Sequence, residues 1–281
     1  MITIGLTTWS DHPAFSNTNQ APKLVEYASF LPTVEVDTPF YAIPRVATVL
    51  DWRKQVPSQF QFILKANRLM TQHDIKSPEA VSLADRKQAF IRFKEMVQPL
   101  VETNQLKTVL FQFPPYFAVS KDNLDYLAEL PNWLPGLSLT VEFRHPSWYQ
   151  KPFINRLYSG LKQLKMTLAI IDEPHNLNDG VPFVPLITNP NLVFIRLHGR
   201  NAEGWFNQGP DWRKKRTLYR YNEHELTGLA KIIRDLDSQA KEVCVIFNNN
   251  SGKDAAPNAL KLQSILGLHF TGLAPKQLDL F

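Results

Sequence analysis

Leu137-Ser138-Leu139-Thr140-Val141-Glu142-Phe143-Arg144 is a short apolar run whose end carries two charges. Its length suits one strand and falls short of an ordinary helix. Side chains alternate across a strand, so Glu142 and Arg144 share a face. Seven further short apolar runs follow the same plan, and seven of the eight end in polar or charged residues: Ile2–Trp9, Thr33–Thr38, Phe60–Lys65, Lys107–Phe113, Thr167–Asp172, Asn191–His198 and Val243–Asn250. Most gaps between them are apolar at helical spacing. Buried strands alternating with helices, and ending in reactive groups, predict an α/β protein with a (β/α)8 TIM-like barrel.

The gaps set the helices. Leu24, Tyr27, Ala28 and Leu31 share one face of a helix expected near Ala21–Phe30. Further helices are expected over Arg45–Gln55 and Leu83–Thr103, and after an N-cap at Ser120. The spacing also predicts a helix after strand 5, one opened by Asn222 and Glu225 as a capping box, and one near Ala255–Leu266. The sixth gap is different, because Pro174, Pro182, Pro185 and Pro190 interrupt it. Each proline removes a backbone donor, so the sixth helix is expected to be missing or distorted. An open dinucleotide-binding sheet would need G-x-G-x-x-G after the first strand. Ser10-Asp11-His12-Pro13 stands there instead.

The 281 residues are 44% hydrophobic, enough for one large core, and no Ser/Gly-rich linker divides them. One barrel domain over 1–270 and a flexible tail over 271–281 are expected. The single cysteine, Cys244, and the lack of a basic leader before the first strand fit a reducing, cytoplasmic compartment. The formal charge of +5 leans toward anionic ligands. Arg213, Lys214, Lys215, Arg216 and Arg220 cluster in one gap among Trp205, Trp212, Tyr219 and Tyr221.

In a barrel the strand ends converge on one mouth, where catalytic groups sit. Glu35 and Asp37 share a face there, as do Arg196 and His198. Lys65, Gln112 and Asp172 stand near the ends of strands 3, 4 and 6, and Asn248, Asn249 and Asn250 end strand 8. Trp9, Thr38, Phe40, Tyr41 and Trp148 lie at or just beyond strand ends and are read as substrate-binding walls or as core plugs. His73 and His145 are proton-transfer candidates, or fix their own loops. Glu35, Glu142, Asp172 and His198 offer metal-type ligands, but Lys65, Arg144 and Arg196 would repel a cation. No cofactor is expected, with a divalent metal as the minority reading. A barrel glycosidase would carry its acids at the ends of strands 4 and 7, where Gln112 and His198 stand. Arg196, Arg200, Lys253 and the basic loop favour an anion on the strand 7–8 side, with Ser251-Gly252 supplying amides.

Several pieces match a known family in order. They are Gly5 with Trp9, Glu35-Val36-Asp37-Thr38-Pro39-Phe40-Tyr41, Phe60-Gln61-Phe62-Ile63-Leu64-Lys65 and Phe111-Gln112-Phe113-Pro114-Pro115. Glu142-Phe143-Arg144-His145-Pro146-Ser147-Trp148, Arg196-Leu197-His198-Gly199 and Phe247-Asn248-Asn249 complete the set. The chain resembles the YecE-like family, domain-of-unknown-function family 72, over nearly its whole length. The resemblance implies a TIM barrel and sharpens the site, but carries no settled activity. The family usually has Asn where Asp37 stands, and His73 follows Thr71-Gln72 where Thr-His is common.

The chain ends Gln277-Leu278-Asp279-Leu280-Phe281, which resembles the peptide by which bacterial proteins dock on the DNA polymerase sliding clamp. Gln277, Leu278, Leu280 and Phe281 would contact that partner. The leading expectation is a barrel enzyme, of hydrolase or lyase/isomerase type, acting by acid–base chemistry on an anionic or phosphate-bearing substrate. Glu142 is the first candidate acid/base and Glu35 the second carboxylate. Arg144 is expected to orient Glu142 or to bind the substrate, with Lys65, Arg196 and His198 stabilising negative charge. The alternatives are a replication- or repair-associated, nuclease-like or nucleic-acid-binding protein recruited by the tail, and a non-catalytic ligand-binding barrel. No membrane contact is expected.

Overall fold

The computed structural model describes residues 1–16, 20–73, 82–207 and 209–275, apart from the side chain of Arg213. Eight strands form a closed, all-parallel barrel in sequence order: β1 Ile2–Thr7, β2 Thr33–Val36, β3 Gln61–Lys65, β4 Leu106–Gln112, β5 Leu139–Glu142, β6 Thr167–Asp172, β7 Val193–Leu197 and β8 Val243–Phe247. The β1–β8 register, from Ile2 opposite Val243 to Leu6 opposite Phe247, closes the ring. Period-two alternation splits the apolar residues into two cores. Ile63, Leu110, Ala169, Ile171, Phe194, Cys244 and Ile246 fill the barrel interior. Val34, Phe62, Val109, Val141, Ile195 and Val245 point outward and pack under the helices. Gly5 is required where β1 meets β2, because a Cβ there would lie 2.5 Å from the Thr33 carbonyl oxygen.

The helices are α1 Leu24–Tyr27, α2 Thr38–Tyr41, α3 Val46–Lys54, α4 Leu83–Val101, α5 Lys121–Trp133, α6 Phe153–Gln163, α7 Ala202–Phe206, α8 Trp212–Arg216, α9 Glu223–Asp237 and α10 Ala255–Leu266. The expected caps form: Asn123 N–H donates to the Ser120 hydroxyl at 3.1 Å, and Glu225 N–H to Asn222 Oδ1 at 2.9 Å. The first helix is shorter than expected. A turn over residues 28–30 follows α1, and Tyr27 is drawn inward, its hydroxyl donating to the Thr33 carbonyl at 2.8 Å.

No helix lies between β6 and β7. The proline-bearing segment instead tucks Val181 into the interior core. Thr188 serves the β6 edge by accepting from Leu168 N–H at 2.8 Å and donating to Met166 O at 2.9 Å. Ala274, within the segment expected as the tail, is buried, and its N–H donates to Ala28 O at 3.0 Å. Gln277, Leu278, Leu280 and Phe281 lie outside the described residues.

Candidate active site

Inward side chains at the carboxyl ends of β2, β5 and β7 meet across the barrel. Arg196 donates from Nε to Glu35 Oε2 at 2.9 Å and from Nη2 to Glu35 Oε1 at 2.6 Å. Its Nη1 donates to Glu142 Oε2 at 2.5 Å and to Gln112 Oε1 at 3.4 Å. Arg144, two residues beyond Glu142 on the same face, pairs with Glu142 Oε1 and with Glu173 Oε2, the latter at 2.5 Å. The product is a series of alternating charge, Glu35–Arg196–Glu142–Arg144–Glu173, no member more than 7% exposed. An unpaired charge at such depth would cost several kcal/mol, so each member depends on its neighbours.

The series sets the protonation states. Burial pushes Glu35 above the ordinary carboxylate range despite Arg196. Burial acts likewise on Glu142, but two flanking guanidiniums overcome it and hold its carboxyl well below that range. At the outer end, burial with the nearby Glu142 outweighs Arg144 and raises Glu173 to about 7. Burial and Arg144 together lower His198 well below its ordinary value. Arginine only donates, so the 2.9 Å contact from Arg144 Nη2 makes His198 Nε2 the acceptor. The other ring nitrogen, Nδ1, meets the Asn248 side-chain amide at 2.7 Å.

A second group lies on the β2–β3 side. Lys65 Nζ is 3.6 Å from Asp37 Oδ1 and 4.8 Å from the Phe40 ring centroid. His73 meets Phe40 edge-on at 4.9 Å and shares a hydrogen bond with the Thr71 hydroxyl at 2.8 Å. Burial, then Lys65, lowers His73 to about 4, so it is neutral at pH 7.

The loop after β7 covers the other side. Arg216 Cζ lies 3.6 Å, and Arg144 Cζ 5.5 Å, from the Trp205 ring centroid. Gly204 permits the close pairing of α7 with α8, since a Cβ would lie 2.4 Å from Lys215 O. Glu173, Trp205, Arg216 and Tyr149 are additions to the expected site. Glu173 was legible, because the alternation that points Ile171 inward points residue 173 inward as well. Its anchoring on the Val181 N–H, 3.0 Å from Oε1, was not.

Other expected residues lie elsewhere, mostly for reasons of alternation. Asp172 follows the inward Ile171 and turns outward, accepting from Arg200 Nε at 2.9 Å and the Tyr221 hydroxyl at 2.6 Å. Asn249 likewise turns from the mouth and donates to Tyr219 O and to Asn258 Oδ1. Trp148 is fully buried, stacked on Phe143 at 4.2 Å, with Nε1 donating to Phe117 O. His145 fixes its own turn by accepting from Ser147 N–H at 3.2 Å. Trp9 packs edge-on against Trp52, and Thr38 and Tyr41 are exposed on the rim.

A carboxylate stands beside Gly252 of the expected anion cradle. Asp254 Oδ2 lies 2.7 Å from where a Gly252 Cβ would be, and Asp254 pairs with Arg220. Arg200 is engaged by Asp172 and Glu225. Among the described residues, no three His, Cys, Asp or Glu side chains gather as a metal site, and no helix is long and apolar enough to cross a membrane.

A family model described as protein of unknown function DUF72 matches residues 3–279. The protein YunF of Bacillus subtilis is 40% identical over 285 residues, covering all of both chains. YecE of Escherichia coli K12 is 28% identical over 243 residues, covering 78% of this chain and 85% of its own. A solved DUF72 family protein from Enterococcus faecalis is 42% identical, with a TM-score of 0.91 and coverage of 99% and 100%. One from Thermotoga maritima is 27% identical, with a TM-score of 0.77 and coverage of 95% and 100%. The chain thus belongs to the DUF72 family of barrel proteins.

Proposed function

We propose that the chain is an enzyme, of hydrolase or lyase/isomerase type, that moves a proton on an anionic substrate at the carboxyl-end mouth of the barrel. The observation that carries this reading is the Glu142–Arg144–Glu173 group. One guanidinium holds two carboxyl groups whose proton affinities are driven apart: Glu142 well below the ordinary range, Glu173 to about 7. Such a split is how one site supplies both an ionised carboxylate and a proton donor at neutral pH. Glu142, expected from the sequence to be the acid/base, is held ionised and acts as the base. Glu173 acts as the acid. Arg144 and Lys65 balance negative charge on the substrate, whereas Arg196 is engaged by Glu35 and Glu142 and holds the frame.

The test is a screen of the full chain against phosphate monoesters, sugar phosphates and hydroxy acids, by thermal shift and by mass spectrometry for product. At least one anion is expected to raise the melting temperature and be converted. Glu142→Gln and Glu173→Gln are each expected to lower kcat by roughly 10²–10⁴-fold. The reading is overturned if no anion stabilises the protein, or if Glu173→Gln turns over at the wild-type rate.

A second reading rests on the Gln277–Phe281 peptide, whose Leu280 and Phe281 suit an apolar pocket on a sliding clamp. Clamp binding that survives deletion of residues 277–281 would overturn it.

A further inference from the structure

We propose that Arg144, Trp205, Arg216 and Tyr149 form an oxyanion subsite on the strand 5–7 side of the mouth, and that an anion bound there drives a proton onto Glu173. This deepens the reading above and rests on it for the identity of the substrate, though the subsite is testable by binding alone. Four enclosed donor atoms on these residues have no acceptor in the structure: Arg144 Nε, Trp205 Nε1, Arg216 Nε and the Tyr149 hydroxyl. A buried donor left without a partner costs about 1–3 kcal/mol. Four of them within one cluster mark a place built to meet oxygen atoms that the chain does not supply. The donors are not scattered. Trp205, 3% exposed, has the guanidiniums of both Arg216 and Arg144 close to its ring, 3.6 and 5.5 Å from the centroid. The Tyr149 hydroxyl lies in the field of Glu173, Glu142 and Arg144. The remaining Arg144 nitrogens are occupied, Nη1 by Glu173 and Nη2 by His198 and Glu142. Nε is therefore the atom left for a ligand.

The groups that face Glu173 are Arg144, Glu142, Arg216, the Tyr149 hydroxyl and the Val181 N–H. At neutral pH its carboxylate is one of the negative charges against which these guanidiniums are balanced. An arriving oxyanion takes over that balance and repels the Glu173 charge, so the carboxyl picks up a proton. Proton and anion then bind together, which delivers the acid in its protonated form only when an anionic substrate is present.

Sulfate is the suitable first probe, because it stays dianionic from pH 5 to pH 8 and any pH dependence belongs to the protein. Titration calorimetry on the full chain with sulfate is expected to show affinity falling roughly tenfold from pH 6 to pH 8, given the proton uptake. Glu173→Gln is expected to flatten that dependence. Trp205→Phe keeps the ring and removes the donor, and is expected to weaken sulfate about tenfold, as is Arg216→Met. Inorganic phosphate and acetate, run alongside, distinguish a tetrahedral from a planar oxyanion. No binding of any of the three at pH 6 overturns the subsite, as does binding indifferent to Trp205→Phe and Arg216→Met. Should those two variants fail to fold, a pH dependence unchanged in Glu173→Gln overturns it alone. Sulfate binding without turnover of any substrate would retain the subsite and remove the enzyme reading. Turnover that depends on Glu142 without sulfate binding would do the reverse.

Discussion

Arg196 grips Glu35 with both arms, Nε on Oε2 at 2.9 Å and Nη2 on Oε1 at 2.6 Å, across 161 residues of sequence. The same side chain reaches Glu142, so β2, β5 and β7 are joined through one guanidinium. Removing it strands two buried carboxyl groups. Arg196→Met is expected to destabilise the barrel by about 3–5 kcal/mol, the range for breaking a buried pair. Neutralising both partners as well, in Arg196→Met with Glu35→Gln and Glu142→Gln, is expected to recover part of that loss. Urea denaturation of the single and triple variants measures both, and equal stability of the two would show that burial of the carboxylates was not the cost.

Glu173 gives a pH signature in stability. Its carboxyl rises from 4.5 to about 7 on folding, chiefly through burial, so between those values the native chain keeps a proton that the unfolded chain has lost. Stability contributed by this group is full below pH 4.5 and is lost as pH rises toward 7, by about 3 kcal/mol at 1.36 kcal/mol per unit. Glu142 and His198, both lowered, act in the opposite sense and lose stability as pH falls. The difference between wild type and Glu173→Gln isolates the first effect. Denaturation at pH 5, 6, 7 and 8 is expected to show Glu173→Gln gaining on wild type across that range, and a constant difference would refute the shift.

Trp148 separates core from site. Its ring lies in a stack with Phe143, Phe117 and Phe113, and its indole N–H is satisfied by a backbone carbonyl. Trp148→Phe leaves a void and an unpaired carbonyl, with an expected cost of about 2–4 kcal/mol. Sulfate affinity is expected to stay within twofold of wild type. A selective loss of ligand binding with stability intact would return Trp148 to the substrate wall.

The closed ring was legible because eight apolar runs of strand length cannot be rearranged without breaking the strand–helix alternation. The inward pairs Glu142 with Arg144 and Arg196 with His198 followed from period two alone. The same rule, carried one residue past β6, exchanges Asp172 for Glu173. Sequence could not reveal partners, and partners decide roles. Glu142 is held ionised by guanidiniums from just past β5 and from β7, and Arg200 is neutralised by Asp172 and Glu225 from distant elements. Trp205 and Arg216 were visible as members of a basic, aromatic loop. Their stacking depends on how α7 folds against α8, which no periodicity encodes.

Two glycines with opposite surroundings test how tightly the ring is closed beside Glu35. A methyl group at Gly5 would meet the Thr33 carbonyl at 2.5 Å and Ile246 Cδ1 at 3.0 Å, so β1 and β2 must part. Thr7, two residues along the same strand, donates to Glu35 Oε1 at 3.2 Å, so the displacement reaches the mouth. Gly228 lies within α9 and has nothing within 4 Å of its missing Cβ. Gly5→Ala is expected to cost about 1–3 kcal/mol through overpacking. Gly228→Ala is expected to add about 0.4–1 kcal/mol, because alanine restricts the unfolded chain and suits a helix. Paired melting curves measure the contrast. A Gly5→Ala variant as stable as wild type would mean that the strands can separate there without cost, and that the 2.5 Å approach to the Thr33 carbonyl does not make glycine necessary.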